Sequence, residues 1–547
     1  MEVGKGPRPQ ETLSAAKNKE DVEVGYVGPP PAQNALNRDL KGRHMQMIAI
    51  GGAIGAGLFV GTGSALESGG PASLLICFII IGIMLLCTVQ ALGELAVLYP
   101  VNGAFFTYST RFLDSSWGFA MGWEYAIGWL TTLPFELTAA GLTIDFWNDK
   151  INNGVWVTVF LVVVCAIQIF GVRGYGEVEF ILAIIKILGI IGFMILGIII
   201  DCGGVPTDNR GYIGFRYWKE PGAFRNGFSG FCSVFVTAAF SFGGTELIGL
   251  AAAEAADPRK SLPKATKQVF WRITFFYIVS LLILGIVVPA DSPNLLKAGD
   301  SDTKDSPFVL AIRMAGIRGL PSVFNAIITV SVVSVANSCT YGSSRTLQAL
   351  ALHGMAPSFL SYVDKHGRPL FCIAIQILFG FIAYVTEASS SETVFDWLLA
   401  LGGLSSFFTW GSICASNIRF RKGWRVQGHS RSKLPFQAAF GIYGSWVGLI
   451  LSILCIIATF YTSLWPNGQL GTAYDFFVSF LAAPLILALY ILWKLWSRDW
   501  KLFVRSHEMD LNYGLREIDL DEVDEVAPPE RPRTWKDHGI GIVRAFF

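Results

Sequence analysis

Runs of apolar residues long enough to cross a hydrocarbon layer recur along this chain, separated by short segments that carry most of its charge. Leu74 to Leu98, Trp156 to Gly171, Phe180 to Ile200 and Phe275 to Val288 are examples, set against the roughly 20 apolar residues that a spanning helix uses. In lipid no water is present to satisfy backbone N–H and C=O groups, so such runs fold as helices that bond within themselves. A soluble chain of 547 residues would still need a charged surface, yet 52% of these residues are hydrophobic and only 15% are charged. The predicted fold class is therefore an all-α integral membrane protein of about twelve transmembrane helices.

The spans are expected at about 46–66, 72–98, 119–147, 154–172, 177–201, 228–252, 268–290, 321–351, 369–387, 394–417, 440–464 and 472–496. A polar tail (1–45), a transmembrane domain (46–496) and a second polar tail (497–547) follow from that placement. Lys and Arg in short loops set the orientation. The loop after span six carries Arg259, Lys260, Lys264, Lys267 and Arg272, and the loop after span ten carries Arg419, Arg421, Lys422, Arg425, Arg431 and Lys433. The loops after spans one, nine and eleven hold neither residue. Both termini are thus predicted to be cytosolic. Met1 to Lys41 is polar and lacks the apolar core of a cleavable signal peptide, so the first span is expected to target the chain.

A net charge of +1 gives no reason to expect nucleic acid as a partner. The nine cysteines are scattered singly and the six histidines fall outside the apolar spans, so neither a disulfide framework nor a metal or haem centre is indicated. No cofactor is expected, and no catalytic cluster of the kind an enzyme needs is evident. In the second tail, Met509 to Val526 alternates acidic residues with Leu, Ile and Val. It reads either as a segment that contacts a partner or the cytosolic face, or as a solvated tail.

The strongest local signal is Gly51-Gly52-Ala53-Ile54-Gly55-Ala56-Gly57, followed by Gly61 and Gly63, inside the first span. Each glycine weakens a helix by about 1 kcal/mol relative to alanine, so a cluster this dense predicts a break at mid-membrane depth. The alternative is close helix packing through small residues. A second interruption lies five spans later, at Phe240-Ser241-Phe242-Gly243-Gly244-Thr245-Glu246. Matching breaks in two five-span halves, about 46–201 and 228–417, point to an inverted-repeat transporter, with spans eleven and twelve (440–496) appended. A broken first span offers N–H groups and a positive dipole to a carboxylate, and a broken sixth offers carbonyls to an ammonium. Together they describe a receptor for a zwitterion.

Three ionisable residues lie deep in spans. Lys186 sits in Phe180-Ile181-Leu182-Ala183-Ile184-Ile185-Lys186-Ile187-Leu188 and is a functional candidate by position alone; a lysine that sheds and regains its proton is what a proton-coupled carrier needs. Glu136 (span three) and Glu246 (the span-six break) are expected either to relay a proton, to face a substrate ammonium, or to tie helices together. Glu94, Glu124 and Arg111 lie nearer span ends, where a structural or gating network is expected. Ser334, Asn337 and Ser338 of span eight are small polar groups suited to interhelical bonding or ligand contact.

The chain closely resembles the fungal amino-acid permeases, the yeast amino-acid transporter family of the amino acid–polyamine–organocation superfamily. The resemblance runs through Leu40-Lys41-Gly42-Arg43-His44-Met45-Gln46-Met47, the glycine cluster, Gly93-Glu94-Leu95-Ala96, Arg111-Phe112-Leu113-Asp114 and Trp117-Gly118-Phe119-Ala120. It continues in Gly244-Thr245-Glu246-Leu247-Ile248-Gly249, Pro258-Arg259-Lys260-Ser261-Leu262-Pro263, Ser343-Ser344-Arg345-Thr346, Gly367-Arg368-Pro369 and Trp397-Leu398-Leu399-Ala400-Leu401. It implies a leucine-transporter-like 5+5 inverted repeat plus two C-terminal helices. The substrate carboxylate would rest on amides matching Ile54, Gly55, Ala56 and Gly57. Its amino group would meet carbonyls at Phe240 and Ser241, with the Phe242 ring as a gate and Thr245, Glu136 and Ser334 as further contacts. Lys186 matches a lysine that stands where sodium binds in sodium-driven cousins, and Lys186 and Glu246 are the expected proton-coupling residues.

The detail is most similar to the general, broad-specificity branch. The resemblance therefore implies a plasma-membrane symporter that imports L-amino acids with protons, embedded in the lipid bilayer, with trafficking or ubiquitination factors as partners of its tails. An uncoupled facilitator or exchanger and an amino-acid-sensing receptor are the alternatives. Many relatives end in Phe-Trp-Cys, whereas this sequence ends Arg544-Ala545-Phe546-Phe547, so palmitoylation at the last position is not expected.

Overall fold

The computed structural model describes residues 36, 38, 40–147, 150–295, 306–387, 391–466, 469–512 and 515. Among these, all regular structure is helical apart from one isolated parallel bridge between Leu40 and Ala255. In chain order the helices are α1 (Gly42–Gly51), α2 (Thr62–Leu98), α3 (Ala104–Phe112), α4 (Ser115–Asp145), α5 (Asn153–Gln168) and α6 (Gly171–Asp201). They continue as α7 (Gly227–Phe242), α8 (Leu247–Ala251), α9 (Pro258–Val287), α10 (Pro307–Met314) and α11 (Leu320–Leu352). The last are α12 (Leu370–Gly380), α13 (Ser391–Val426), α14 (Gly441–Leu464), α15 (Ala473–Phe480) and α16 (Ala482–Ser497).

Local chemistry places the ends. Asp114 caps α4 by accepting from the Trp117 amide at 3.2 Å, and Asp257 caps α9 just ahead of Pro258. Thr472 and Asp475 form a reciprocal box at the start of α15. The turn expected between spans one and two is no loop at all but a corner inside α2. There Gly70 takes φ +82° ahead of Pro71, and a side chain at that glycine would lie 2.6 Å from the Ala223 carbonyl oxygen.

By length and apolarity seven helical segments among the described residues are fit to cross a membrane, and α15 with α16, bent by 72°, makes an eighth if the pair is one span. The α5 and α12 helices are shorter apolar segments, so twelve spans remain an expectation while the all-α membrane fold is plain. Outer helices present apolar side chains outward, as with Leu188 and Ile181 of α6, while α11 packs against α4 and α6 in the interior.

The end of the bundle that carries the basic loops is tied by buried ion pairs. Arg421 forks onto Glu94, which also accepts from Asn417 Nδ2 (3.1 Å) and the Ala438 amide (2.7 Å). Lys494 meets Asp114 at 3.0 Å, and Arg345 meets Glu254 at 2.9 Å. Glu94 thus has the structural role expected of it. The second tail begins by docking on this end: Val504 N–H donates to Leu113 O, Tyr99 Oη to Leu511 O, Gln427 Nε2 to Met509 O, and Arg111 to Asp510 O. Residues 509–512 lie there without helical structure and with Met509 and Leu511 buried. The remainder of the acidic stretch to Val526 apart from Leu515, the first 35 residues and the final Phe547 fall outside the described residues. At the opposite end Arg210 chelates Asp208 (2.8 Å) and holds that loop carboxyl below its usual range by hydrogen bonding.

Candidate substrate site

Both expected breaks are present. The α1 helix stops at Gly51, and after five residues the chain resumes as a π-turn (Gly57–Gly61) that runs into α2. The α7 helix stops at Phe242, and Gly243 to Glu246 separate it from α8. Gly244 takes φ +94°, where a Cβ would lie 2.5 Å from the Gly52 carbonyl oxygen. A Cβ on Gly57 would lie 2.8 Å from Ser241 Cα. The glycines therefore let two interrupted helices touch backbone to backbone. Tyr277 of α9 clamps them, its hydroxyl lying 2.8 Å from Ala53 O and 2.6 Å from Ser241 O.

Between the breaks lies a cavity of about 50 Å³, bordered by Gly57, Trp129, Glu136, Phe240, Gly244 and Val335 among others. That is room for a few waters; an amino acid enters only if the walls move. The Phe240 ring lies against Phe135 (centroids 4.8 Å apart) and within reach of Gly402.

The positions singled out from sequence divide between cavity and scaffold. Gly57, Phe240, Glu136 and Glu246 border the cavity. The Ala56 N–H donates to Glu136 Oε2 at 3.3 Å, so a carboxyl group already rests on the opened end of the first span. Gly55 packs on Val335, and Ile54 is fully buried. Phe242, expected as a gate, is not among the residues that border the cavity. Its ring stacks on Tyr277 (4.4 Å) and meets Phe78 at a tilt (5.7 Å) in the core, because residues two apart on a helix point about 200° from one another. Phe240 takes the position over the cavity instead. The Ser241 hydroxyl bonds back to Thr237 O, and Thr245 Oγ1 bonds to Phe242 O. Ser334 donates to Glu179, and its neighbour Val335 borders the cavity.

Two buried charge clusters flank the site. Glu246 accepts from Tyr125 Oη (3.1 Å), Trp410 Nε1 (3.2 Å) and its own break at Gly244 N (3.2 Å). Glu124, expected in a network near a span end, lies beside this group and accepts from Thr409 at 3.3 Å. On the other side Lys186 Nζ donates to Gly51 O at 2.5 Å, the last carbonyl before the first break, and stands 3.9 Å from Glu179 Oε1. Its contact with span eight runs through Glu179 and Ser334. Glu179, Tyr277 and Trp129 are the important residues that sequence reasoning passed over. Glu179 carries one legible signal: it precedes Lys186 by seven residues, two turns, and so shares its helix face.

A helical bundle that holds a small, partly polar cavity between two interrupted helices is a membrane transporter. Its fold matches that of a manganese transporter from Eremococcus coleocola, with a TM-score of 0.50 at 14% identity over 83% of this chain and 94% of that one. The chain belongs to the amino acid permease family, whose sequence model matches residues 44–506. It is 53% identical over 513 residues to cationic amino acid transporter 1 of Schizosaccharomyces pombe, covering 92% of this chain and 86% of that protein. To the general amino-acid permease of Saccharomyces cerevisiae it is 48% identical over 534 residues, covering 95% and 88%. It is a multi-pass amino-acid transporter of the fungal permeases, not an enzyme.

Proposed function

We propose that the protein imports L-amino acids of broad side-chain range by proton symport, with alternating access, across the plasma membrane. Its basic end, and both tails with it, face the cytosol. Substrate sits between the two breaks, its carboxylate on the amides of 54–57 and its ammonium near the carbonyls of Phe240 and Ser241. Lys186 and Glu246 are the groups that carry the proton. The tails are the surfaces for trafficking or ubiquitination factors. Residues 46–201 and 228–417 act as the two halves that rock, and the small closed cavity is the occluded point of that cycle.

The observation that carries this reading is the Glu136 carboxyl on the Ala56 amide. A helix start that accepts a protein carboxylate has the polarity to accept a substrate carboxylate. Two carboxylates do not share one such end, so substrate displaces Glu136. The names of the two relatives, general and cationic, favour a wide side-chain range.

Recognition through both backbone ends has a direct test by competition against a radiolabelled neutral amino acid. Many unmodified neutral L-amino acids should compete well, while amino-acid amides and N-acetylated amino acids should compete poorly. Equal competition by the blocked compounds would remove the zwitterion site.

A further inference from the structure

Glu179 is fully buried in α6, far from any role the transport reading has given it, and the charges around it do not balance. Its Oε1 accepts from Ser334 Oγ, and its Oε2 accepts from Asn337 Nδ2 at 3.5 Å, while Asn337 Oδ1 accepts from Gln168 Nε2. Gly51 is glycine against this carboxyl, since a Cβ there would fall 1.7 Å from Oε1. The nearby titratable groups are Lys186 and Tyr175 on its own helix, Cys339 on α11, Glu136 on α4 and Tyr277 on α9; α1 sets Gly51 against the carboxyl and brings His44 and Arg43 onto Glu177 of α6. One ammonium thus faces two carboxyls, Glu179 and Glu136. With all three ionised the cluster carries a net negative charge inside the membrane, and burying an unpaired charge is what proteins avoid. With one extra proton the cluster is neutral.

We propose that Glu179 is a second proton-binding site, the acceptor to which Lys186 passes its proton on the way to the basic end. An N–H bond of the Lys186 ammonium breaks, the electron pair stays on nitrogen, and the proton joins Glu179 Oε1. Charges of +1 and −1 become zero and zero, so the total charge of the pair is unchanged. The transfer spans the 3.9 Å between Nζ and Oε1, onto a residue two helical turns nearer the basic end along α6. One turn further stands Tyr175, its hydroxyl 3.1 Å from Ser338 Oγ and its ring stacked on Tyr341 at 4.6 Å, with the Arg345–Glu254 pair beyond. The same step loosens the first span. Lys186 Nζ donates to Gly51 O, so discharging the ammonium turns the charge-assisted bond that ties α6 to the edge of the break into a weaker neutral one.

The inference rests on the proton-symport reading, and its test separates the two. Wild-type protein, Glu179→Gln and Glu179→Asp are placed in liposomes with an inward proton gradient. Net accumulation of labelled amino acid, proton entry reported by an internal pH dye, and exchange of internal for external substrate are measured. Glu179→Gln should lose gradient-driven accumulation and substrate-linked proton entry while keeping exchange, and Glu179→Asp should recover part of both. Gradient-driven accumulation by Glu179→Gln at the wild-type level overturns the proposal. Loss of exchange by both variants overturns it too, by making Glu179 a counter-ion that holds the helices. No gradient response in the wild type removes the symport reading itself, and this proposal with it.

Discussion

Gly57→Val should abolish amino-acid uptake while leaving the protein in the membrane at near-normal level. The first atom of the new side chain would lie 2.8 Å from Ser241 Cα and 3.0 Å from Ser241 N and Phe240 Cδ1. Two of those atoms are backbone and cannot swing aside, so the two broken helices must part. Overpacking of this kind costs about 1–3 kcal/mol, which a large helical bundle tolerates. The cavity does not tolerate it, because the wall that moves is the substrate site. Gly192→Val is the matched control, since a Cβ at Gly192 meets nothing within 4 Å. Normal uptake by Gly57→Val would mean that the glycines serve helix packing alone.

The second large effect belongs to Lys186. Replacement by alanine removes the donor to Gly51 O and leaves Glu179 buried without its cation. Breaking a buried pair costs about 3–5 kcal/mol, so some loss of thermal stability in detergent is expected together with the loss of function. Gradient-driven accumulation should vanish, whereas exchange need not cycle a proton and should persist. Lys186→Arg should also fail to accumulate substrate, because a guanidinium stays charged at physiological pH. Accumulation by Lys186→Ala in response to an inward proton gradient would make the lysine structural and move the proton site to Glu136 or Glu246.

Much of this architecture is legible in the sequence because lipid removes alternatives. An apolar run inside a membrane has no option but helix, and glycines clustered within it have few uses beyond a break or a close contact. Here they serve both: Gly57 and Gly244 sit at the breaks and also permit the backbone contact between them. Side-chain direction was harder to read. Phe240 and Phe242 are equivalent as letters, and only the phase of α7 decides which faces the cavity and which packs on Tyr277. Tyr277 itself looked like one aromatic among many in an apolar stretch, since its value lies in two carbonyls contributed by distant helices. Glu179 was hidden for a similar reason. Its partners, Gly51 and Ser334, come from α1 and α11 and are far from it in sequence. The bend at Gly70 shows the converse, where a Gly-Pro pair replaced an expected loop with a corner.

The claim on which the rest depends is that the two broken helices carry an amino acid across the membrane together with a proton. The most direct measurement is the accumulation ratio of a labelled neutral L-amino acid in liposomes containing the purified protein, with an inward proton gradient and with that gradient collapsed by a protonophore. The account predicts internal substrate well above the external concentration with the gradient, falling to equality when the protonophore is added. Equal concentrations under both conditions would contradict it and leave a facilitator in its place.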